Sequence, residues 1–157
     1  MMSAKNLPPD LRHLVLKLLV SSKLVKHFAN DLLDNSALES KKFVPILKFA
    51  SIASIFQEVI FVVSIQAQER NLKIQADLDR IKGSNMKIDA QRFQQVLMNL
   101  LSNSIKFSHA GGVIVVSAWT ETNMETTMLR VSVRDRGIGI AEFELGRIFT
   151  PFFKTQN

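Results

Sequence analysis

Apolar positions recur along this chain with two different periods, and the places where the period changes divide it into elements. Leu11, Leu14, Leu18, Ser21, Val25, Phe28 and Leu32 follow one another at alternating steps of three and four, a heptad seam broken by one serine. This spacing predicts a long helix that packs lengthwise on another helix. One helix cannot bury such a seam alone. A second helix of this chain or a second copy is therefore expected against Leu11, Leu14, Leu18, Val25, Phe28 and Leu32, with packing onto the chain's own domain as the other option. The polar run Asn35 to Lys42, NSALESKK, ends this helix and separates residues 1–40 from 41–157 as two parts.

In the second part, Phe43 to Phe49 predicts a short edge strand, because Pro45 has no N–H to give a ladder. Ala50 to Arg70 returns to the helical period, with Ile52, Ile55, Phe56, Val59, Val62, Val63 and Ala67 on a broad buried face. Leu72, Ile74, Ala76 and Leu78 alternate as in a strand; Gly83-Ser84 predicts a turn and Asn85 to Ile88 a further short strand. Asp89 stands at the N-cap position of a helix through Phe107, DAQRFQQVLMNLLSNSIKF. After a loop at 108–112, Val113 to Trp119 predicts a buried strand, Thr120 to Glu125 a polar connection, and Met128 to Arg134 a returning strand. Helices interleaved with a mostly antiparallel sheet predict an α+β fold of two layers.

Composition narrows the classes available. At 157 residues, 46% apolar and 22% charged, the chain can build a sizeable core and is not of disordered composition. It has no cysteine, which excludes disulfides, thiolate metal sites and cysteine nucleophiles. The net charge of +6 is concentrated early: residues 1–48 carry eight Lys/Arg against four Asp/Glu, and the remainder twelve against ten. Tyrosine is absent and the single tryptophan falls in a predicted strand, so no stacking platform accompanies the basic residues and no specific nucleic-acid binding is expected. The most apolar segment, Ile55 to Ile65, is short and holds Gln57 and Glu58, and the N-terminus does not read as a cleavable signal. A cytoplasmic chain is expected.

The candidate chemistry begins in the helix opened by Asp89. Arg92, Gln95, Asn99, Asn103 and Lys106 form one polar stripe, while Phe93, Val96, Leu97, Leu100 and Leu101 occupy the rest of the circumference. A solvated face is usually rich in Lys and Glu; this row is dominated by amides, which offer neutral oxygen ligands as well as N–H donors. A second motif follows the last strand: Asp135-Arg136-Gly137-Ile138-Gly139 sets a carboxylate at a strand end beside a backbone free to bend sharply. Taken alone, that pattern also fits a tight loop with a solvated aspartate.

The order of the two motifs carries a resemblance. NDLLDNSALES, DAQRFQQVLMNLLSNSIKFS, VRDRGIGIA and RIFTPFF resemble stretches of the sensor histidine kinases, the last three their asparagine box, first glycine box and phenylalanine box, within the ATPase superfamily that includes DNA gyrase and heat-shock chaperones. The resemblance covers Lys23 to the end and implies a two-layer α/β sandwich of the Bergerat type preceded by the second helix of a dimerisation hairpin. It further implies ATP and Mg²⁺ as ligands and a response-regulator receiver domain as partner. Asn103 would give its side-chain oxygen to Mg²⁺, Asn99 would assist at the phosphates and Lys106 would offset their charge. Asp135 would accept from the adenine amino group, Gly137 and Gly139 would let the backbone turn beside the nucleotide, and Ile138 and Ile140 would contact the base. Phe149, Phe152 and Phe153 would hinge a lid, or serve core packing. Arg92 and Gln95 are expected to be structural. Hydrolysing relatives resemble this helix but carry Glu where Asn99 stands, so the resemblance favours phosphoryl transfer to a protein histidine over hydrolysis.

The family's acceptor is a His followed by an acid. Here His13 precedes Leu, His27 precedes Phe and His109 lies in a loop, so the acceptor motif is not among these residues. The second glycine box and the rest of the lid are likewise not found before Asn157, which implies weakened nucleotide binding and little autonomous kinase activity. The alternative function is a non-catalytic dimerisation module that regulates intact kinases through the Leu11 to Leu32 seam.

Overall fold

Turn chemistry and apolar period together set where each element starts and stops. The computed structural model describes Pro8, Leu11, Leu14, Val15, residues 17–23, Val25, Lys26, Ala29, residues 44–150 and Phe153. A helical segment, α1, is described at residues 17–23, with helical backbone also at Leu11, Leu14, Val15, Val25, Lys26 and Ala29. There follow β1 (Lys48–Ser51), α2 (Ile52–Glu69), β2 (Lys73–Asp77), β3 (Asn85–Ile88), α3 (Ala90–Phe107), β4 (Val113–Thr122) and β5 (Thr127–Arg134). Short 3-10 segments lie at Asp79–Ile81 and Glu142–Arg147. The seam partners Phe28 and Leu32, the histidines His13 and His27, and Phe152 lie outside the described residues. The described chain forms two units: the residues up to Ile65 with Ile81–Asn99, and Gln66–Arg80 with the residues from Leu100 onward.

In the first unit, Ile52, Ile55, Phe56, Val59, Val62 and Val63 of α2 are all buried, as the helical period requires, together with Val20, Ile81, Leu97 and Met98. Phe56 and Phe93 meet edge to face, ring centroids 5.7 Å apart. β1 and β3 pair antiparallel from Lys48 opposite Ile88 to Ser51 opposite Asn85. The expected strand at 43–49 is thus corrected to Lys48–Ser51, and residues 44–47 are not strand. Pro45 has no N–H, and the N–H of Ile46 is taken by Asp89 Oδ2 at 2.8 Å, so two ladder donors are lost just before Lys48. The same carboxylate caps α3, its Oδ1 accepting from the Arg92 N–H at 3.1 Å.

The second unit holds a three-stranded sheet in the order β2-β4-β5. β2 runs parallel to β4 from Lys73 opposite Val113, and β5 runs antiparallel to it from Val115 opposite Arg134 to Thr122 opposite Thr127. β4 buries only alternate residues, Ile114, Val116 and Ala118, so the expected fully buried strand is one with a single core face. It also runs three residues further than its apolar run, to Thr122. The cause is Asn123, whose Oδ1 accepts from the N–H groups of Glu125 and Thr126 at 3.1 and 2.8 Å and tightens the turn. Beyond Trp119 the ladder is held by polar pairs: Arg130 Nε lies 2.7 Å from Glu121 Oε2, and the Trp119 indole donates to Glu121 Oε1 at 3.1 Å. The Arg130 hydrogen bond, then that from Trp119, holds the Glu121 carboxyl below its ordinary range.

α2 ends in this unit by a Schellman motif. Asn71 takes φ of 60°, its N–H bonds the Gln68 carbonyl at 2.9 Å, and the Leu72 N–H reaches back to the Ala67 carbonyl at 2.8 Å. Leu72 and Ala67, the pair such a motif brings together, are both buried. This turn delivers Arg70 and β2 to the end of α3.

Candidate nucleotide site

The site is built from the C-terminal turns of α3 and the loop that follows β5. α3 is amphipathic, and only part of its apolar circumference is buried. Leu97, Met98, Leu101, Ser104 and Ile105 are buried, whereas Val96 and Leu100 are 57% and 45% exposed and flank the polar row. The phase of the helix accounts for this: Val96 lies closer in angle to Asn99 and Asn103 than to the Leu97-Leu101 line, and Leu100 lies midway between the two. Asn99, Asn103 and Lys106 are exposed, with Asn99 one turn before Asn103. The Lys106 ammonium sits 4.8 Å from the centre of the Phe107 ring.

Three groups fix the last turn of α3. From one side, Arg70 Nη1 donates to the carbonyls of Ile105 and Lys106 at 3.1 and 2.5 Å, supplying both a positive charge and donors where a helix end leaves carbonyls unpaired. From the other side, the Ile138 N–H donates to the Phe107 carbonyl at 3.2 Å, and Ser108 forms an isolated bridge with Gly137. Third, the buried Ser104 hydroxyl donates to Asp135 Oδ2 at 2.9 Å. Asp135 Oδ1 accepts from the Gly137 N–H, also at 2.9 Å, so each oxygen of the carboxylate has one internal donor.

The two glycines of the loop are needed for different reasons. A Cβ on Gly137 would overlap the Phe107 carbonyl oxygen and lie 2.9 Å from both Asp135 Oδ1 and the Phe107 carbonyl carbon. Gly139 has open space around it but a φ of 73°, which side chains disfavour. Beyond them Ile138 and Ile140 are each 47% exposed. Phe149 is 93% exposed, so it does not serve core packing, and Phe153 lies beneath the Arg147 guanidinium, 4.6 Å from its ring centre.

The structure therefore brings Asp135, Gly137 and Ile138 against the end of the helix that carries Asn103 and Lys106. Sequence reasoning missed Ser104 and Arg70. For Ser104 a signal existed: a lone hydroxyl among Leu97, Leu101 and Ile105 on the buried side of a helix needs a partner. Arg70 gave none, because its partners are backbone carbonyls 35 and 36 residues away. A hollow of about 290 Å³ in the first unit, lined by Lys23, Lys26, Glu58, Gln94, Gln95 and Met98 among others, includes none of Asn99, Asn103, Lys106 and Asp135.

A helix with an amide row, docked at its end on a loop that presents an anchored carboxylate, defines an ATP-binding domain of the superfamily shared by kinases, gyrases and chaperones. Residues 88–157 match the family described as histidine kinase-, DNA gyrase B-, and HSP90-like ATPase. An uncharacterised sensor-like histidine kinase of Rhizobium meliloti is 34% identical over 82% of this chain and 23% of its own length. The catalytic domain of histidine kinase ThkA is 27% identical, with a TM-score of 0.61 over 69% of this chain and 70% of that one. Full-length ShkA in complex with AMPPNP is 25% identical, with a TM-score of 0.63 over 92% of this chain and 30% of that one. The chain carries an ATP-binding catalytic domain of the sensor histidine kinase type. It spans less than a quarter of the length of the first curated relatives it matches, 23% and 15%. Among the described residues no helix is long and apolar enough to cross a membrane.

Proposed function

We propose that this chain binds Mg-ATP in the cytoplasm and presents the γ-phosphoryl group to a protein histidine, from which a response-regulator receiver domain takes it. The observation that carries this reading is the doubly anchored Asp135 carboxylate beside the Phe107–Ile138 docking of the glycine loop. A carboxylate is an acceptor only, so it selects a ligand edge that donates, as the adenine amino group does. Ile138 and Ile140 supply apolar surface for the base, and Gly137 brings the backbone close.

Asn103, exposed one turn from the end of α3, fits a hard cation that takes one protein oxygen and keeps its remaining positions for water and phosphate. Bound Mg²⁺ would neutralise phosphate charge during transfer. Asn99 and Lys106 hold and offset the phosphates from the same row. An amide at position 99 cannot take a proton from water as a carboxylate can, which disfavours hydrolysis and leaves the phosphoryl group for a better-placed acceptor. Phe149, Phe152 and Phe153 hinge a lid on this reading. The acceptor is a histidine other than His13, His27 and His109, none of which has an acidic neighbour on its C-terminal side.

The test is calorimetric titration of the chain with ATP, with and without Mg²⁺. Magnesium is expected to tighten binding, and Asn103→Ala to abolish that gain, lowering Mg-ATP affinity by about tenfold while leaving metal-free ATP binding nearly unchanged. An Asn103→Ala protein with the full magnesium effect would remove Asn103 from the metal site.

Pairing of two copies through α1 belongs to the same proposal, with residues 1–40 as the second helix of a dimerisation hairpin and 41–157 as the catalytic domain. Leu11, Leu14, Leu18 and Val25 are 45%, 53%, 62% and 68% exposed, a row of apolar residues left open to a partner on this reading. Sedimentation should show a concentration-dependent dimer that Leu14→Asp with Leu18→Asp converts to monomer. A wild-type chain that stays monomeric at all concentrations would refute the pairing.

A further inference from the structure

The hydrogen bond between Ser104 and Asp135 does more than satisfy a buried hydroxyl. Ser104 is 6% exposed and stands on the core side of α3, directly after Asn103 in the chain. Its Oγ lies 2.9 Å from Asp135 Oδ2, across 31 residues of sequence. Asp135 is itself an exposed residue at the end of β5, and an exposed carboxylate ordinarily turns freely about its last side-chain bond. Here it cannot. Oδ1 is held by the Gly137 N–H and Oδ2 by Ser104, so the plane of the carboxylate is set by one donor from its own loop and one from the helix. Each oxygen retains a lone pair, and the directions of those lone pairs are fixed before any ligand arrives.

We infer that Ser104 is a positioning residue for base selection: it aims the free lone pair of Asp135 at the ligand's amino group and so sets how strongly the site distinguishes a 6-amino purine from one without that group. The inference rests on Asp135 as the base acceptor, the reading given above. The physical argument is preorganisation. A hydrogen bond weakens steeply with misalignment, and an acceptor that must first be immobilised loses part of its gain to ordering. The Gly137 N–H alone leaves the carboxylate one point of attachment about which to swing. Ser104 supplies the second.

The test compares ATP with purine ribonucleoside triphosphate, which lacks the 6-amino group, by titration of the full chain. The wild type should prefer ATP by at least about tenfold. Ser104→Ala should reduce that ratio several-fold, chiefly by weakening ATP, with the des-amino nucleotide bound nearly as before. Ser104→Cys keeps a side chain of similar shape but only a weak donor, and should behave as the alanine variant does. It also carries the test if Ser104→Ala fails to fold. A residue with a packing role alone would lower both affinities by the same factor. Equal losses, or an unchanged ratio in both variants, overturn the inference while leaving the nucleotide site standing. A wild type that binds neither nucleotide, or binds both alike, overturns the adenine reading of Asp135 and the role of Ser104 with it.

Discussion

Asp135→Asn is expected to lower ATP affinity by about 100- to 1000-fold with little change in thermal stability. The substitution is nearly isosteric, so the loss comes from hydrogen-bond direction. The carboxylate receives the Ser104 hydroxyl on Oδ2 and the Gly137 N–H on Oδ1, and would receive the ligand amino group as a third donor. An amide offers a single acceptor oxygen and turns two donors toward the groups around it. One internal bond must reverse or break, and the ligand amino group then meets another N–H. The rotating Ser104 hydroxyl can adapt by accepting, which is why folding should survive. Calorimetric titration with ATP, beside a thermal melt, measures both quantities. Affinity within twofold of the wild type, with the melt unchanged, would exclude Asp135 as the base acceptor.

Gly137→Ala should be the most damaging single methyl group in the second unit. The added Cβ would overlap the Phe107 carbonyl oxygen and lie 2.9 Å from Asp135 Oδ1. The overlapped atom is backbone at the end of α3, held in place by its own hydrogen bond from Ile138. Relief requires moving the loop off the helix. A cost of about 2–3 kcal/mol is expected, roughly 4–12 °C in the melting midpoint, together with loss of detectable ATP binding. Hydrogen exchange gives the local readout, since the Ile138 amide should lose protection when its bond to Phe107 opens. Gly139→Ala is the matched control. It meets open space and strains only a left-handed φ, so it should cost about 1–2 kcal/mol and spare the Phe107–Ile138 contact. Unchanged protection of Ile138 in Gly137→Ala would show that the loop has room the geometry denies it.

Much of the fold was legible because burial obeys the helical period. Ile52, Ile55, Phe56, Val59, Val62, Val63 and Ala67 are named by spacing alone and are all buried. Asp89 as the start of α3 was legible for a local reason, a carboxylate at a helix start. What the pattern could not supply were effects of residues distant in sequence. The late start of β1 depends on Asp89, 43 residues beyond Ile46. On α3 periodicity separates apolar from polar positions but does not say which apolar line faces inward, and Val96 and Leu100 are exposed while Leu97 and Leu101 are buried. In the candidate site, the motifs singled out Asn103, Asp135 and Gly137, and the structure sets Asp135 and Gly137 at the end of the helix that carries Asn103. Motif spacing could not point to Arg70, whose partners are carbonyls that every residue carries.

α3 is secured at both ends before any ligand arrives. Asp89 holds its first turn while also fastening the segment that leads into β1, and Arg70 gathers the carbonyls of its last. A helix so bounded has few frayed states left to lose. On the proposed reading of Asn103 and Lys106, the conformational entropy of ordering the helix that carries them is therefore charged to folding rather than to nucleotide capture. Ligand affinity in this protein should thus respond to changes in the glycine loop and the segment after it far more than to substitutions that merely raise or lower the helix propensity of α3.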